Sequence, residues 1–214
     1  MTTTWQASLL DQGEDVGLRP LDGSLTRTTL AHGAWVDVRP GWLTGSDELF
    51  DRLRLGGSAR VAWQGERRRM YDRVLDTPRL LRFYAEDEKL PDTVLDRARD
   101  QLSAHYRGDL GEPLRTVGMC LYRNGRDSVA WHGDRFGRSA HEDTMVAIVS
   151  IGAPRALLLR PRGGGEESRR FVLGHGDLLV MGGSCQRTWD HSVPKTSAAV
   201  GPRISIQFRT RGVR

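Results

Sequence analysis

From Val117 onward the chain is a succession of short apolar segments, each closed by a turn rich in glycine or proline, and few folds accept that pattern. The segments are Val117 to Tyr122, Asp127 to Trp131, Met145 to Ile151, Arg155 to Arg160, Arg169 to Leu173, Asp177 to Met181 and Arg203 to Phe208. Strands of this length with tight turns predict an antiparallel barrel or jelly roll. Asn124-Gly125 lies between the first two, and that dipeptide predicts a β-hairpin. Before Glu112-Pro113 the character differs. Ser46 to Leu55 predicts a helix, with Asp47 and Glu48 in its first turn and Gly56-Gly57 at its end. Pro91 to Tyr106 predicts a second, because Val94, Ala98 and Leu102 recur at helical spacing and Gly108 follows. The expectation is an α+β chain. Residues 1–112 would form an N-terminal arm and helices, packed on a jelly-roll core at 113–214, all in one structural domain.

The 25 glycines suit many turns, and a chain of 214 residues can bury a core without disulfides. Net charge is +5, carried almost wholly by arginine, since the lysines are Lys89 and Lys195 alone. Two readings of that excess stay open: a phosphate-bearing partner, or a genome whose codons favour arginine. Cys120 and Cys185 form no Cys-x-x-Cys pair and read as packed thiols. The first residues lack the features of a signal peptide, and no apolar window reaches the length of a membrane span. A monomeric, cytoplasmic protein with no membrane partner is expected.

Chemistry concentrates between Trp131 and Arg209. His132 and Asp134 are two apart, so on an extended strand both point to one side. With His191 they make two imidazoles and one carboxylate. Such a set occupies one face of an Fe(II) ion and leaves the other open, as in non-haem oxygenases. The other histidines, His32, His105, His141 and His175, lie in turns, loops or a helix end and read as structural or exposed. Arg203 to Arg209 alternates strictly: Ile204, Ile206 and Phe208 on one face, Arg203, Ser205, Gln207 and Arg209 on the other. If the polar face lines the barrel, Arg203 suits the distal carboxylate of 2-oxoglutarate, because its planar fork binds carboxylate at two points. Ser205 would assist, and Arg209 would balance charge at Asp134 or the co-substrate. If it faces water, the segment is an ordinary edge strand.

These motifs together resemble the AlkB family of Fe(II)- and 2-oxoglutarate-dependent dioxygenases. Leu121-Tyr122-Arg123-Asn124-Gly125 through Trp131-His132-Gly133-Asp134 is similar to that family's metal-binding hairpin. Leu173 to Gly183 resembles its glycine-rich turn and strand, Trp189 to Lys195 its second metal segment, and Arg203 to Arg209 its closing Arg-x-Asn-x-x-x-Arg pattern. The resemblance covers the C-terminal half of the chain. It implies a double-stranded β-helix with a nucleotide-recognition lid, and Fe(II), 2-oxoglutarate and molecular oxygen as cofactor and co-substrates. It also implies oxidative demethylation of N-alkylated bases such as 1-methyladenine and 3-methylcytosine in DNA or RNA, taken single-stranded or flipped from a duplex. His132, Asp134 and His191 would be the iron ligands; Tyr122, Arg203, Ser205 and Arg209 would attend the co-substrate. Cys120 and Ser205 stand where the family has asparagine. Arg135-Phe136-Gly137-Arg138 stands where it often has acidic residues that read the base. Substrate contacts are expected at Arg67, Arg68, Arg69, Tyr71 and Arg135, with Trp63, Phe83 and Tyr84 as further aromatics able to stack on a base. An oxygenase of a small molecule or protein side chain on the same scaffold, or a nucleic-acid-binding module without turnover, are the alternatives.

Overall fold

A computed structural model describes residues 15–56, 61–70, 73–134, 137–164 and 168–213; for 66–70 and 73–76 it describes the backbone alone. The N-terminal part holds strands β1 (Gly17–Leu18), β2 (Thr26–Thr29), β3 (Ala34–Arg39), β4 (Leu43–Thr44), β5 (Gln64–Met70) and β6 (Arg73–Tyr84). It also holds helices α1 (Ser46–Leu55), α2 (Thr93–His105) and α3 (Arg107–Leu110). Strands β7 (Thr116–Tyr122), β8 (Val129–His132), β9 (Val146–Gly152), β10 (Arg155–Pro161), β11 (Arg169–Leu173) and β12 (Asp177–Gly183) follow. A short helix α4 (Cys185–Thr188) then precedes β13 (Trp189–Val193) and β14 (Arg203–Arg209).

The last eight strands form a double-stranded β-helix. Strands β12-β9-β14-β7 lie side by side within an eight-stranded sheet, and β11-β10-β13-β8 make a four-stranded one. All the pairings are antiparallel. The N-terminal part is not only helical, as its sequence suggests. β3 and β2 extend the large sheet beyond β12, and the β6–β5 hairpin extends it beyond β7. Arg60 to Arg73 hides this strand because its charged residues obscure any alternation of polar and apolar.

The Asn124-Gly125 hairpin does not form. β7 belongs to the large sheet and β8 to the small one, so this turn carries the chain between sheets. A two-residue hairpin needs positive φ at its turn, and Gly125 is not among the glycines with positive φ. Its hydrogen in place of a side chain serves another purpose: a Cβ there would lie 2.5 Å from the carbonyl oxygen of Thr196. Asn124 instead accepts a bond from the Arg126 amide at 2.9 Å, an Asx turn.

Two cores result. Outside the large sheet, Leu49, Phe50 and Leu53 of α1 and Leu95, Ala98 and Leu102 of α2 pack on Val117, Met119, Ile204, Ile206 and Phe208. Between the sheets, Tyr122, Val146, Ile148, Leu157, Leu159, Met181 and Trp189 form the second. Strand β9 is buried at every residue because it is covered on both faces, so it reads as a continuous apolar run. α2 begins at Thr93, two residues after Pro91, because the Asp92 carboxylate caps it by accepting from the Val94 amide at 3.0 Å. Among the described residues no helix is long and apolar enough to cross a membrane.

Candidate metal and co-substrate site

His132 and His191 lie far apart in sequence but directly opposite each other on the adjacent antiparallel strands β8 and β13. Cross-strand partners have Cβ atoms about 5 Å apart, and here the two rings tilt together with centroids 4.3 Å apart. The register shifts between His191 and Val193, an irregularity of the kind that re-aims side chains. Asp134, just past the end of β8, brings its Oδ1 to 3.6 Å from His132 Nε2. Ligand atoms of all three residues lie within 4.8 Å of one another. His132 Nδ1 is 2.9 Å from the Ala130 carbonyl. A carbonyl only accepts, so Nδ1 carries the proton and Nε2 keeps a free lone pair, the arrangement that orients metal-binding histidines.

Charge is arranged to match. Burial alone would raise the pKa of Asp134, but Arg209, His191 and His132 hold its carboxyl well below the usual carboxylate range. Arg209 Nε donates to Asp134 Oδ2 at 2.8 Å. His191 is pushed down to about 3, first by burial and then by His132, so it is neutral at ordinary pH and its lone pair is available. Two nitrogens and one ionised oxygen suit Fe(II) better than a soft-metal site would.

The polar face of β14 points inward. It is no edge strand: β9 and β7 flank it. Arg203, Ser205 and Gln207 are all buried. Opposite residues on paired strands share a face, so Arg203 keeps company with Tyr122, Ser205 with Cys120 and Ser150, and Gln207 with Gly118. Gly118 makes the room: a Cβ there would come within 2.7 Å of Arg209 Nη1 and 3.0 Å of Gln207 Oε1. Arg203, 2% exposed, gives its Nε to Ser150 Oγ at 2.8 Å, while its buried Nη1 has no hydrogen-bond partner. A buried cationic donor left unsatisfied is costly, and a ligand carboxylate would satisfy it. Tyr122 lies beneath the guanidinium, whose carbon is 5.3 Å from the ring centroid. Burial and Cys120 push its phenol up to about 12, so it stays a neutral donor.

Tertiary structure thus brings together His132, Asp134 and His191 at one end of the polar stripe, with Tyr122 and Arg203 farther along it. Of the two partners expected for Arg209, it reaches the Asp134 carboxylate, at the far end of β14 from Arg203. Ser205 Oγ accepts from Gln207 Nε2 at 2.6 Å. Of the aromatics, Trp63 donates to the Leu53 carbonyl and Tyr84 is buried in the outer core. Phe83, 38% exposed, lies opposite Gly118 and so on the inward face. Arg67, Arg68 and Arg69 lie on β5, where side chains fall outside the described residues, as do Tyr71 and Arg135 altogether. His175 is structural, as expected, its Nδ1 accepting from the Gly152 amide at 2.7 Å.

Sequence reasoning missed Arg79 and Arg155. Arg79, on β6, is 9% exposed; its Nη1 donates to the Ser128 carbonyl at 3.2 Å and its Nε has no partner. Its charge is felt at both Tyr122 and His191. Nothing in the local pattern marks it, since β6 itself was not legible. Arg155 donates to the carbonyls of Asn124, Asp127 and Pro194, at 3.2, 2.9 and 2.6 Å, and ties the β7–β8 crossing to the segment after β13.

Known proteins are similar to this chain in sequence and in fold. The model of the 2OG-Fe(II) oxygenase superfamily matches residues 84–209, more than half of the chain. Bovine alpha-ketoglutarate-dependent dioxygenase alkB homolog 3 is 31% identical over 208 residues, covering 87% of this chain and 66% of its own. The human DNA oxidative demethylase ALKBH2 is 32% identical over 123 residues, covering 54% of this chain and 45% of its own. The chain therefore spans just under two thirds of the first relative's length and less than half of the second's. A 2OG-Fe(II) oxygenase family structure from Burkholderia pseudomallei superposes with a TM-score of 0.58 at 14% identity, over 83% of this chain and 86% of that one, and so shares the fold. The chain belongs to the 2OG-Fe(II) oxygenase superfamily, and its relatives there are AlkB homologues.

Proposed function

We propose that this protein is an Fe(II)- and 2-oxoglutarate-dependent dioxygenase that removes N-alkyl groups oxidatively from bases of DNA or RNA. The observation that carries the reading is the pairing of a His-Asp-His cluster with a buried arginine whose Nη1 lacks an acceptor. In this reading His132 Nε2, Asp134 and His191 hold iron, and Arg203 with Tyr122 holds the co-substrate carboxylate. Iron, 2-oxoglutarate and oxygen supply the oxidation of the substrate C–H bond, which a protein side chain cannot perform. The chain's own groups do the rest. Arg209 keeps Asp134 ionised. The Ala130 carbonyl fixes the His132 tautomer. The neutral Tyr122 phenol donates without adding charge.

Support for a nucleic-acid substrate comes from the relatives, one of which is named a DNA oxidative demethylase. The excess of arginine and the β5–β6 hairpin at the sheet edge agree with it. Arg67, Arg68 and Arg69 are assigned to phosphates, with Tyr71, Arg135 and the rim residue Phe83 beside a single-stranded or flipped base. The enzyme acts as a cytoplasmic monomer in this reading. The test is formaldehyde release, matched to succinate formation, from 1-methyladenine and 3-methylcytosine in single- and double-stranded DNA and RNA. Succinate without formaldehyde from any of these would redirect the search to a small molecule or protein substrate. No turnover with any substrate would leave a binding module.

A further inference from the structure

The chain has two cysteines, both free. Cys185 is buried and its thiol is pushed up to about 12 by burial, so it is inert. Cys120 differs. It lies on β7 opposite Ser205, one position from Tyr122 along the inward face, with its S–H directed to Gln207 Oε1 at 3.8 Å. Its neighbours in that stripe, Arg203, Ser205, Gln207 and Ser150, are all 7% exposed or less, yet Cys120 is only partly buried. Cys120 therefore keeps some contact with solvent, on the side where its β6 neighbours Leu81 and Phe83 are also open, while the polar groups of β14 and β9 beside it are closed off. A second observation marks what belongs there: the buried, unpartnered Nη1 of Arg203, on the paired strand. A thiol is smaller than the asparagine side chain that the resembled family has at this position, and it brings reactivity that an amide lacks.

We propose that Cys120 is a modification site in the wall of the co-substrate pocket, where thiol-reactive oxidants or electrophiles and the 2-oxoglutarate carboxylate exclude one another. The proposal rests on the reading that Arg203 holds that carboxylate. With hydrogen peroxide, the sulfur attacks one peroxide oxygen and the O–O bond breaks. The sulfur is oxidised to S–OH, and the other oxygen leaves as water with the thiol proton. With iodoacetamide, an S–CH₂ bond forms, iodide leaves and the thiol proton goes to buffer. Either product enlarges the side chain that lies next to Tyr122 on the face that also carries Arg203.

The experiment uses the full chain with Mn(II) in place of iron. Iodoacetamide labelling is followed by peptide mass spectrometry, with and without 2-oxoglutarate, and binding is read separately as a thermal shift. Cys120 should label at least tenfold faster than Cys185, and 2-oxoglutarate should slow that labelling tenfold or more. Labelled protein should lose its thermal response to 2-oxoglutarate, while Cys120→Ser treated alike keeps whatever response it had before. If 2-oxoglutarate shifts the melting point but leaves the Cys120 rate unchanged, Cys120 is not in that pocket and the proposal fails alone. If 2-oxoglutarate gives no shift in untreated protein, the co-substrate reading fails and takes the proposal with it.

Discussion

Three side chains decide the metal end of the site, and each has a distinct electrostatic task. His191→Ala and His132→Ala each remove one imidazole donor; Asp134→Ala removes the anion and strands the Arg209 charge. Each should abolish turnover and weaken Fe(II) or Mn(II) binding by tenfold or more, read by metal titration; a variant with wild-type metal affinity would take its residue out of the site. Arg203→Lys should raise the 2-oxoglutarate KM about tenfold or more while the metal affinity stays, since a point charge cannot replace the planar fork. His191 also predicts a pH effect on the metal-free protein. Its folded pKa, pushed down to about 3 by burial and His132, lies below the unfolded value near 6.5. The unfolded chain binds the extra proton, so stability falls as pH drops through that window. Between pH 6.5 and 5 the loss is about 2 kcal/mol. Asp134 adds nothing in this interval, being ionised in both states there. Urea denaturation of metal-free wild type and His191→Gln at both pH values checks this; equal pH slopes would contradict it.

At the scale of elements, the site depends on how strands cross between sheets. The turn after β7 packs against Thr196, and Arg155 bridges both segments through three carbonyls. Gly125→Ala pushes a methyl group into the Thr196 backbone, which cannot give as a flexible side chain can. We expect a loss of about 1–3 kcal/mol, seen as a melting point lowered by several degrees. A melting point within a degree of wild type would show that the crossing adapts. The same crossing explains why His132 meets His191: β8 leaves the large sheet and pairs with β13. A hairpin at Asn124-Gly125 would have kept His132 in the large sheet, away from its partner.

At the scale of the molecule, helices cover one face of the large sheet, and the other face, with the small sheet, encloses the polar stripe. The hairpin β5–β6 lies at the sheet edge next to β7, and so beside the site. If its arginines hold phosphates, replacing Arg67, Arg68 and Arg69 with alanine should weaken oligonucleotide binding at every sequence. It should also flatten the salt dependence, by about one unit of log–log slope per lost contact. Fluorescence titrations at several salt concentrations measure it, and parallel slopes for wild type and variant would remove the arginines from the interface.

What the sequence by itself determined is local: strand-length apolar runs, two helices with their ends, and a strand whose alternating residues had to face two environments. These follow from period and capping, which neighbouring residues set. The set of His132, Asp134 and His191 was legible because metal chemistry demands those residue types, whatever the distance between them. Only the tertiary structure decided which environment Arg203 faces, that Arg209 serves Asp134, and that Cys120 opens onto the stripe. It alone brought the Arg79 charge within electrostatic reach of Tyr122 and His191. Register and sheet membership are fixed by pairing between distant segments, and a dipeptide such as Asn124-Gly125 takes its turn geometry from the contacts its surroundings impose.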